Sequence, residues 1–142
     1  LKDGSRKMSK SELSDLSRIN LTDDTDLIVN KIKKAKTDPL PMPNSTKDLN
    51  ERLEAKNLLG IYSSLTNSTL EKSVEIFEGK NFSEFKEKLS EVLVDRIQPI
   101  SLEIKKLLND RSYLDNTLLE GVERANKIAS QKIKRIKEIV GF

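Results

Sequence analysis

Two lysines and two serines lie close together near the N-terminus, in the run Lys7-Met8-Ser9-Lys10-Ser11. Closely spaced ammonium groups on flexible stems can follow negative charge as an anionic group departs. Serine hydroxyls add hydrogen-bond donors and acceptors without bulk. The residue types of this run are therefore suited to contact an anionic group. The alternative is an ordinary lysine- and serine-rich surface loop, but composition does not explain the methionine, since the chain holds only two.

Further short segments follow this run along the whole chain. They cover residues 3–6, 17–24, 31–38, 57–62, 78–80, 96–100 and 120–125. Together with the KMSKS pattern of residues 7–11, their order resembles the C-terminal part of bacterial tryptophanyl-tRNA synthetases, a family of class I aminoacyl-tRNA synthetases. The tyrosyl enzymes are the alternative family most easily confused with it. The chain departs from the family pattern at Glu12 and Leu13, where Asp and Pro are common.

The resemblance implies roles for residues 7–11, which would form a loop over the triphosphate of ATP. Lys7 and Lys10 would be catalytic, because they would stabilise the charge of the displaced pyrophosphate. Ser9 and Ser11 would shape the loop and donate to phosphate oxygens. Met8 would contribute mainly its backbone near the adenine.

The same resemblance implies substrates, partners and a location. Tryptophan and ATP would give an aminoacyl-adenylate, with Mg²⁺ accompanying ATP, and the acyl group would then pass to tRNA(Trp). Family members are cytoplasmic and usually homodimeric, through contacts expected outside this chain. They are also longer, with a Rossmann-like domain that carries a HIGH-type motif. Because this chain has no histidine, we expect it to be a C-terminal fragment that is inactive alone.

Composition excludes several other classes of protein. The 142 residues suffice for one ordinary domain. Without cysteine or histidine the chain has no disulfide, no thiolate metal site and no plausible zinc site. No apolar run approaches the length that spans a membrane. A net charge of +3 favours a nucleic-acid partner only weakly.

The hydrophobic periodicity predicts an all-α fold, an antiparallel helical bundle. The resemblance implies that this bundle is preceded by a KMSKS-loop remnant of a Rossmann-like catalytic domain. A first helix should run from Asp24 or Thr25 to about Lys36. Alternating prolines then predict an extended connector. Together with the resemblance, these signals imply three parts: residues 1–36 from the catalytic domain, a linker at 37–48, and a helical tRNA anticodon-binding-like domain at 49–142. Later helices should begin near residues 50, 68, 83 and 112. Ser68 and Glu71 have the spacing of a capping box, and Gly79 and Gly141 should end two of these helices.

Two helix faces are candidates for RNA. In the last helix, a basic set accompanies an apolar stripe that we expect to lie in the core. The basic set is Lys132, Lys134, Arg135 and Lys137, beside Lys127; the stripe is Leu118, Val122, Ala125, Ala129, Ile133, Ile136 and Val140. The second candidate is the face of the first helix that carries Lys31, Lys33, Lys34 and Lys36. Tyr62 and Tyr113 are better explained as core residues than as side chains that stack on RNA bases.

Two other interpretations stay open at this point. The chain could be a non-catalytic helical RNA-binding or adaptor module, which its basic helix faces favour. It could also be a structural bundle in which the pentapeptide is coincidental. The sequence preceding residue 1 would distinguish them, because a HIGH-type motif there would establish the parentage.

Overall fold

The computed structural model describes residues 1–4 and 12–141. Within these ranges the chain forms five α-helices and no β-strand, which confirms the all-α class. The helices are α1 (Thr25–Lys33), α2 (Leu53–Thr66), α3 (Leu70–Phe77), α4 (Phe82–Asn109) and α5 (Arg111–Val140), with short 3₁₀ helices at Asp15–Ser17 and Asp48–Asn50. The chain divides into two compact units, Leu1–Leu102 and Glu103–Phe142.

Helix α1 begins where the sequence predicts and ends earlier. The carboxylate of Asp24 accepts a hydrogen bond from the Leu27 amide at 2.9 Å, which satisfies one of the free donors of the first turn. The predicted end at Lys36 is wrong. The Lys36 amide donates to the Leu1 carbonyl at 3.0 Å, so the backbone has left the helix by that point.

The core of the first unit is one apolar cluster to which α1, the connector and helices α2, α3 and α4 all contribute. Its members are Ile28, Ile32, Ala35, Met42, Leu49, Ala55, Leu58, Leu59, Tyr62, Val74, Phe77, Phe85, Leu89, Leu93 and Ile97. Tyr62 belongs to this core, with its ring edge-on to Phe77 at a centroid distance of 4.9 Å. It is therefore not exposed for stacking on a base.

The proline-rich connector is held near its start and at its middle. Its Met42 amide donates to the Lys80 carbonyl at 2.7 Å, and the Gly79 amide donates to the Met42 carbonyl at 3.3 Å. Both carboxylate oxygens of Asp38 accept from Arg52, from Nη2 at 2.7 Å and from Nε at 2.9 Å. The connector thus packs into the first unit, while the three-part division expected from the sequence stays a hypothesis about domain origins.

The capping box expected at Ser68 and Glu71 is wrong. Helix α3 is capped by Thr69, whose hydroxyl accepts from the Lys72 amide at 3.2 Å. The Ser68 hydroxyl instead exchanges hydrogen bonds with those of Thr66 and Ser73 at 2.8 and 3.0 Å. Helix α3 ends before Gly79, whose φ of 68° is the left-handed conformation that glycine adopts without strain.

In the second unit, α5 begins at an aspartate cap and ends at a left-handed glycine. Asp110 accepts from the Tyr113 amide at 3.0 Å, and Gly141 has a φ of 84°. The expectation that the apolar stripe of α5 is core is wrong, because none of its described residues is buried. Leu118, Ile133 and Ile136, for example, are 67%, 54% and 58% exposed. Periodicity identifies a face, but burying that face requires a neighbouring element.

Candidate functional site

The predicted phosphate-binding residues Lys7, Met8, Ser9, Lys10 and Ser11 lie outside the residues that the structure describes. Their roles therefore stay predictions. The structure does describe the polypeptide on both sides of them, up to Gly4 and from Glu12 onward. These two flanks are built from different kinds of contact.

The N-terminal flank is held by backbone contacts. The Leu1 nitrogen donates to the Ser17 carbonyl at 2.9 Å, and the Leu1 carbonyl accepts from Lys36. Gly4 lies against the first turn of α2, where a Cβ atom built on it would be 2.6 Å from the Leu53 carbonyl oxygen. This flank therefore joins the C-terminal end of α1 to the start of α2.

The C-terminal flank is held by Arg18. Its Nη1 donates to the Glu12 carbonyl at 3.0 Å, and its Nε donates to the Asn20 side-chain oxygen at 3.2 Å. Its Nη2 lies 3.4 Å from Asp15. One guanidinium thus ties the backbone at Glu12 to the turn that precedes α1.

Beneath this turn lies a buried lysine. Lys31 is 0% exposed, and its Nζ is 2.6 Å from a carboxylate oxygen of Asp15 and 2.6 Å from one of Asp23. The Asn20 amide donates to Asp23 at 2.8 Å, and the Asn20 side-chain nitrogen donates to Asp15 at 2.9 Å. We call Asp15, Arg18, Asn20, Asp23 and Lys31 the flank network. Its two cations face two carboxylates, so its formal charge is balanced.

Asp15 is the most exposed carboxylate of the flank network, with a side chain that is 48% exposed. The hydrogen bond from Lys31, followed by the one from Asn20, holds the pKa of Asp15 below its usual range. The carboxylate is therefore charged throughout the neutral range. At neutral pH it can therefore form ion pairs with Lys31 and Arg18.

The burial of Lys31 contradicts the sequence-based expectation that it lies on an exposed basic face of α1. Lys33, Lys34 and Lys36 are exposed as expected. Lys31 follows Ile28 at a spacing of three and precedes Ile32, so it lies on the apolar stripe of α1 and not opposite it. Its partners Asp15 and Asp23 lie well upstream in the sequence, so no local pattern predicted that Lys31 is paired.

A groove of about 950 Å³ lies between α1 and α4 within the first unit. Lys86 lines it and donates to the carbonyls of Lys33 and Ala35 at 3.1 and 2.7 Å, which satisfies free acceptors at the end of α1. Burial lowers the pKa of Lys86. Because Glu87, Glu91 and Asp95 also line the groove beside Lys33 and Lys86, its charges do not identify a ligand.

The RNA candidates of α5 are all exposed. Lys132, Lys134, Arg135 and Lys137 each present their side chains to solvent, as does Tyr113, which is 54% exposed. Exposure is necessary for contact with phosphate, but it does not identify the partner. The exposed apolar residues Ile133 and Ile136 lie between them along the helix.

Two further structural properties bear on function. Across residues 1–4 and 12–141, no helix is long and apolar enough to cross a membrane. Within the same ranges, no three acidic, histidine or cysteine side chains are grouped so that they could hold a metal ion. The described residues therefore contain no cluster that identifies a ligand for Mg²⁺.

Comparison with known proteins gives a consistent result. Residues 1–98 match the family described as tRNA synthetases class I (W and Y). All 142 residues align with Tryptophan–tRNA ligase of Agrobacterium fabrum at 47% identity and with that of Mesorhizobium japonicum at 46%, covering 40% of each relative. The same ligase of Rickettsia felis is 47% identical over all 142 residues, which cover 42% of it. The chain thus spans about 40% of the length of the curated relatives it matches.

Proposed function

Since the chain belongs to the family of class I tRNA synthetases for W and Y, we propose that it is the C-terminal portion of a tryptophan–tRNA ligase. In this proposal it supplies the ATP-phosphate segment and the helical tRNA-binding region of the complete enzyme. The observation that carries the proposal is the 47% identity to a tryptophan–tRNA ligase over the whole chain, which includes residues 7–11. Family membership removes the interpretation of the chain as an unrelated bundle.

The complete enzyme would work in two stages. Tryptophan and ATP would form an aminoacyl-adenylate and pyrophosphate, and tRNA(Trp) would then accept the tryptophanyl group. Lys7 and Lys10 would stabilise the charge that develops on pyrophosphate as it leaves. Ser9 and Ser11 would donate to phosphate oxygens, and the backbone at Met8 would lie near the adenine.

Mg²⁺ would arrive with ATP, because it binds readily through substrate phosphates with few protein ligands. The residues of the chain suit the phosphates and not the metal. Two ammonium groups complement a triphosphate, whereas the described carboxylates form no cluster for a cation. The ion would neutralise phosphate charge when bound.

The basic residues of α5 support a tRNA contact. Lys132, Lys134, Arg135 and Lys137 are exposed, and contacts between such side chains and phosphates supply most non-specific affinity for nucleic acid. We place the tRNA-binding surface of this chain there. The complete ligase would act in the cytoplasm as a homodimer whose contacts lie outside this chain.

The 142-residue chain alone would be inactive. The family's tryptophan pocket and HIGH-type motif belong to the part of the ligase that precedes this chain. The purified chain should therefore show no tryptophan-dependent exchange of pyrophosphate into ATP.

The experiment that tests this function is Lys10→Ala in the complete ligase. A cation that acts on departing pyrophosphate contributes mainly in the transition state, and removing one such group costs about 10²–10³ in kcat. In tryptophan-dependent ATP–pyrophosphate exchange, kcat should therefore fall by a much larger factor than the KM for ATP rises. Lys47→Ala, which removes an exposed lysine elsewhere, should change neither. An unchanged kcat in Lys10→Ala would show that Lys10 does not stabilise the departing pyrophosphate.

The alternative function is a non-catalytic helical RNA-binding or adaptor module. The exposed basic residues of α5 favour it, because they need no active site to bind phosphate. The two functions differ in one outcome. A module of this kind binds RNA equally well with and without Lys10, and Lys10→Ala would leave every activity of the complete protein intact.

A further inference from the structure

Lys31 has a completely buried charge in a small protein core. Its neighbours on the same stripe of α1 are Ile28 and Ile32, both 0% exposed. Taking an ammonium out of water is unfavourable, and a buried ion pair is often no more stable than an apolar replacement of similar volume. The core alone therefore gives no reason for a lysine here. Such groups are sometimes retained because they specify one conformation of the chain.

The contacts of Lys31 lead away from the core and toward the segment that ends at Ser11. Its ammonium binds Asp15 at 2.6 Å, Asp15 pairs with Arg18 at 3.4 Å, and Arg18 donates to the Glu12 carbonyl at 3.0 Å. Glu12 is the first residue after the proposed phosphate-binding segment. The path thus consists of two ion pairs between side chains and one hydrogen bond from a guanidinium to a backbone carbonyl.

A second path fixes the orientation of the first. Lys31 also binds Asp23, whose side chain is only 4% exposed and which accepts from the Asn20 amide. Asn20 in turn accepts from Arg18 and donates to Asp15. The guanidinium that holds Glu12 is therefore restrained from both sides. Both restraints originate at one ammonium group on α1.

We propose that Lys31 is a positioning residue for pyrophosphate release. Through Asp15 and Arg18 it fixes the backbone at Glu12, and so reduces the conformational freedom that Lys10 loses when it aligns with the leaving group. The proposal rests on the proposed function, since it needs Lys10 to act on pyrophosphate. Lys31 itself touches no substrate. Its effect should appear in kcat and should depend on Lys10.

The test uses Asp15→Asn in the complete ligase, because it weakens the path without leaving a deeply buried carboxylate unpaired. Lys31 keeps Asp23, so the fold should be retained. The control is Glu91→Gln. Glu91 is a carboxylate with the same 2.6 Å contact to a lysine, Lys88, and a comparable exposure of 62%. Thermal unfolding of both variants reports any change that is merely structural.

A misplacement of reacting groups by about 1 Å can cost up to about 100-fold in rate. Asp15→Asn should therefore lower kcat of tryptophan-dependent pyrophosphate exchange between about tenfold and 100-fold, with ATP KM changed less than about twofold. Glu91→Gln should leave kcat unchanged. In a Lys10→Ala background, assayed at higher enzyme concentration, Asp15→Asn should lower kcat by less than about twofold, because residues that act as one unit are not additive.

Two results would overturn the proposal. One is a full loss of kcat from Asp15→Asn in the Lys10→Ala background, since Asp15 and Lys31 would then act independently of Lys10. The other is an unchanged kcat in the single variant, whether or not its unfolding temperature falls. Failure of the proposed function has a different signature, because Lys10→Ala alone would then leave the exchange intact.

Discussion

Gly4 lies directly against the Leu53 carbonyl, with no room between them for a side chain. A Cβ atom on Gly4 would meet three backbone atoms, at 2.6 Å from the Leu53 oxygen, 2.8 Å from its carbonyl carbon and 2.9 Å from the Glu54 nitrogen. Backbone atoms at the start of α2 cannot rotate away as a flexible side chain would. This contact fixes where the chain enters the segment at residues 5–11.

Gly4→Ala should therefore destabilise the chain by about 1–3 kcal/mol, the usual cost of inserting a methyl group into a packed site. Urea unfolding followed by circular dichroism measures this change. Gly60→Ala is the matched control, because a Cβ atom at Gly60 meets nothing within 4 Å. Gly60 lies inside α2, so its substitution should stabilise the helix by up to about 1 kcal/mol. Equal stability of the two variants would contradict the packing at Gly4.

The pair between Asp38 and Arg52 predicts a pH dependence. Burial raises the pKa of Asp38, but the hydrogen bonds from Arg52 and the Leu40 amide outweigh it, and the net result is a lowered pKa. A lowered folded-state pKa contributes stability that is present above the ordinary carboxyl range and is lost as the pH falls through the lowered value. Asp38→Asn should therefore be less stable than the unsubstituted chain at neutral pH. The difference should shrink in strong acid.

Free energies of unfolding between about pH 7 and pH 2 measure this effect. Asp110 offers a comparison, because the amide of Tyr113 and the hydroxyl of Ser112 also lower its pKa, but at an exposed helix cap. Asp110→Asn keeps a side chain that caps helices well, and should lose less stability at neutral pH. A stability difference for Asp38→Asn that stays constant into strong acid would show that the carboxylate charge contributes nothing.

Charge reversal on α5 should weaken binding of tRNA(Trp). Lys132→Glu with Arg135→Glu should reduce affinity and lower the slope of log K against log salt by about one for each phosphate that these side chains neutralise. The control is Lys47→Glu with Lys56→Glu, which makes the same change in net charge at exposed residues of the first unit. Filter binding at several salt concentrations measures both. Equal reductions in affinity from the two pairs would mean that net charge, and not the α5 surface, determines binding.

Local signals predicted the helices well. Asp24 predicts the start of α1, and Gly79 and Gly141 predict the ends of α3 and α5, because a cap depends on residues adjacent in sequence. The absence of an α-helix from the connector followed from the spacing of its prolines. The predicted N-cap of α3, Ser68, is one residue before the observed cap, Thr69. The two hydroxyls are similar, and their environment selects between them.

Long-range pairing was not predictable in the same way. Nothing local to Lys31 shows that Asp15 and Asp23 fold over it, and a lysine among lysines was assigned to the exposed face. The prediction that the apolar stripe of α5 is buried was wrong for a different reason. Its period is helical, but whether Leu118 or Ile133 is buried depends on a neighbour that periodicity does not reveal. The predicted phosphate-binding residues depend on the resemblance to a family, which no local structural signal replaces.

The central claim is that this chain supplies the pyrophosphate-stabilising segment of a tryptophan–tRNA ligase. The most direct measurement uses a chimera in which these 142 residues replace the matching 40% of the Agrobacterium fabrum ligase, to which they are 47% identical. The folded chimera should catalyse tryptophan-dependent ATP–pyrophosphate exchange, and Lys10→Ala in it should lower kcat by about 10²–10³. A folded chimera without exchange, or one whose exchange is unaffected by Lys10→Ala, would contradict the claim.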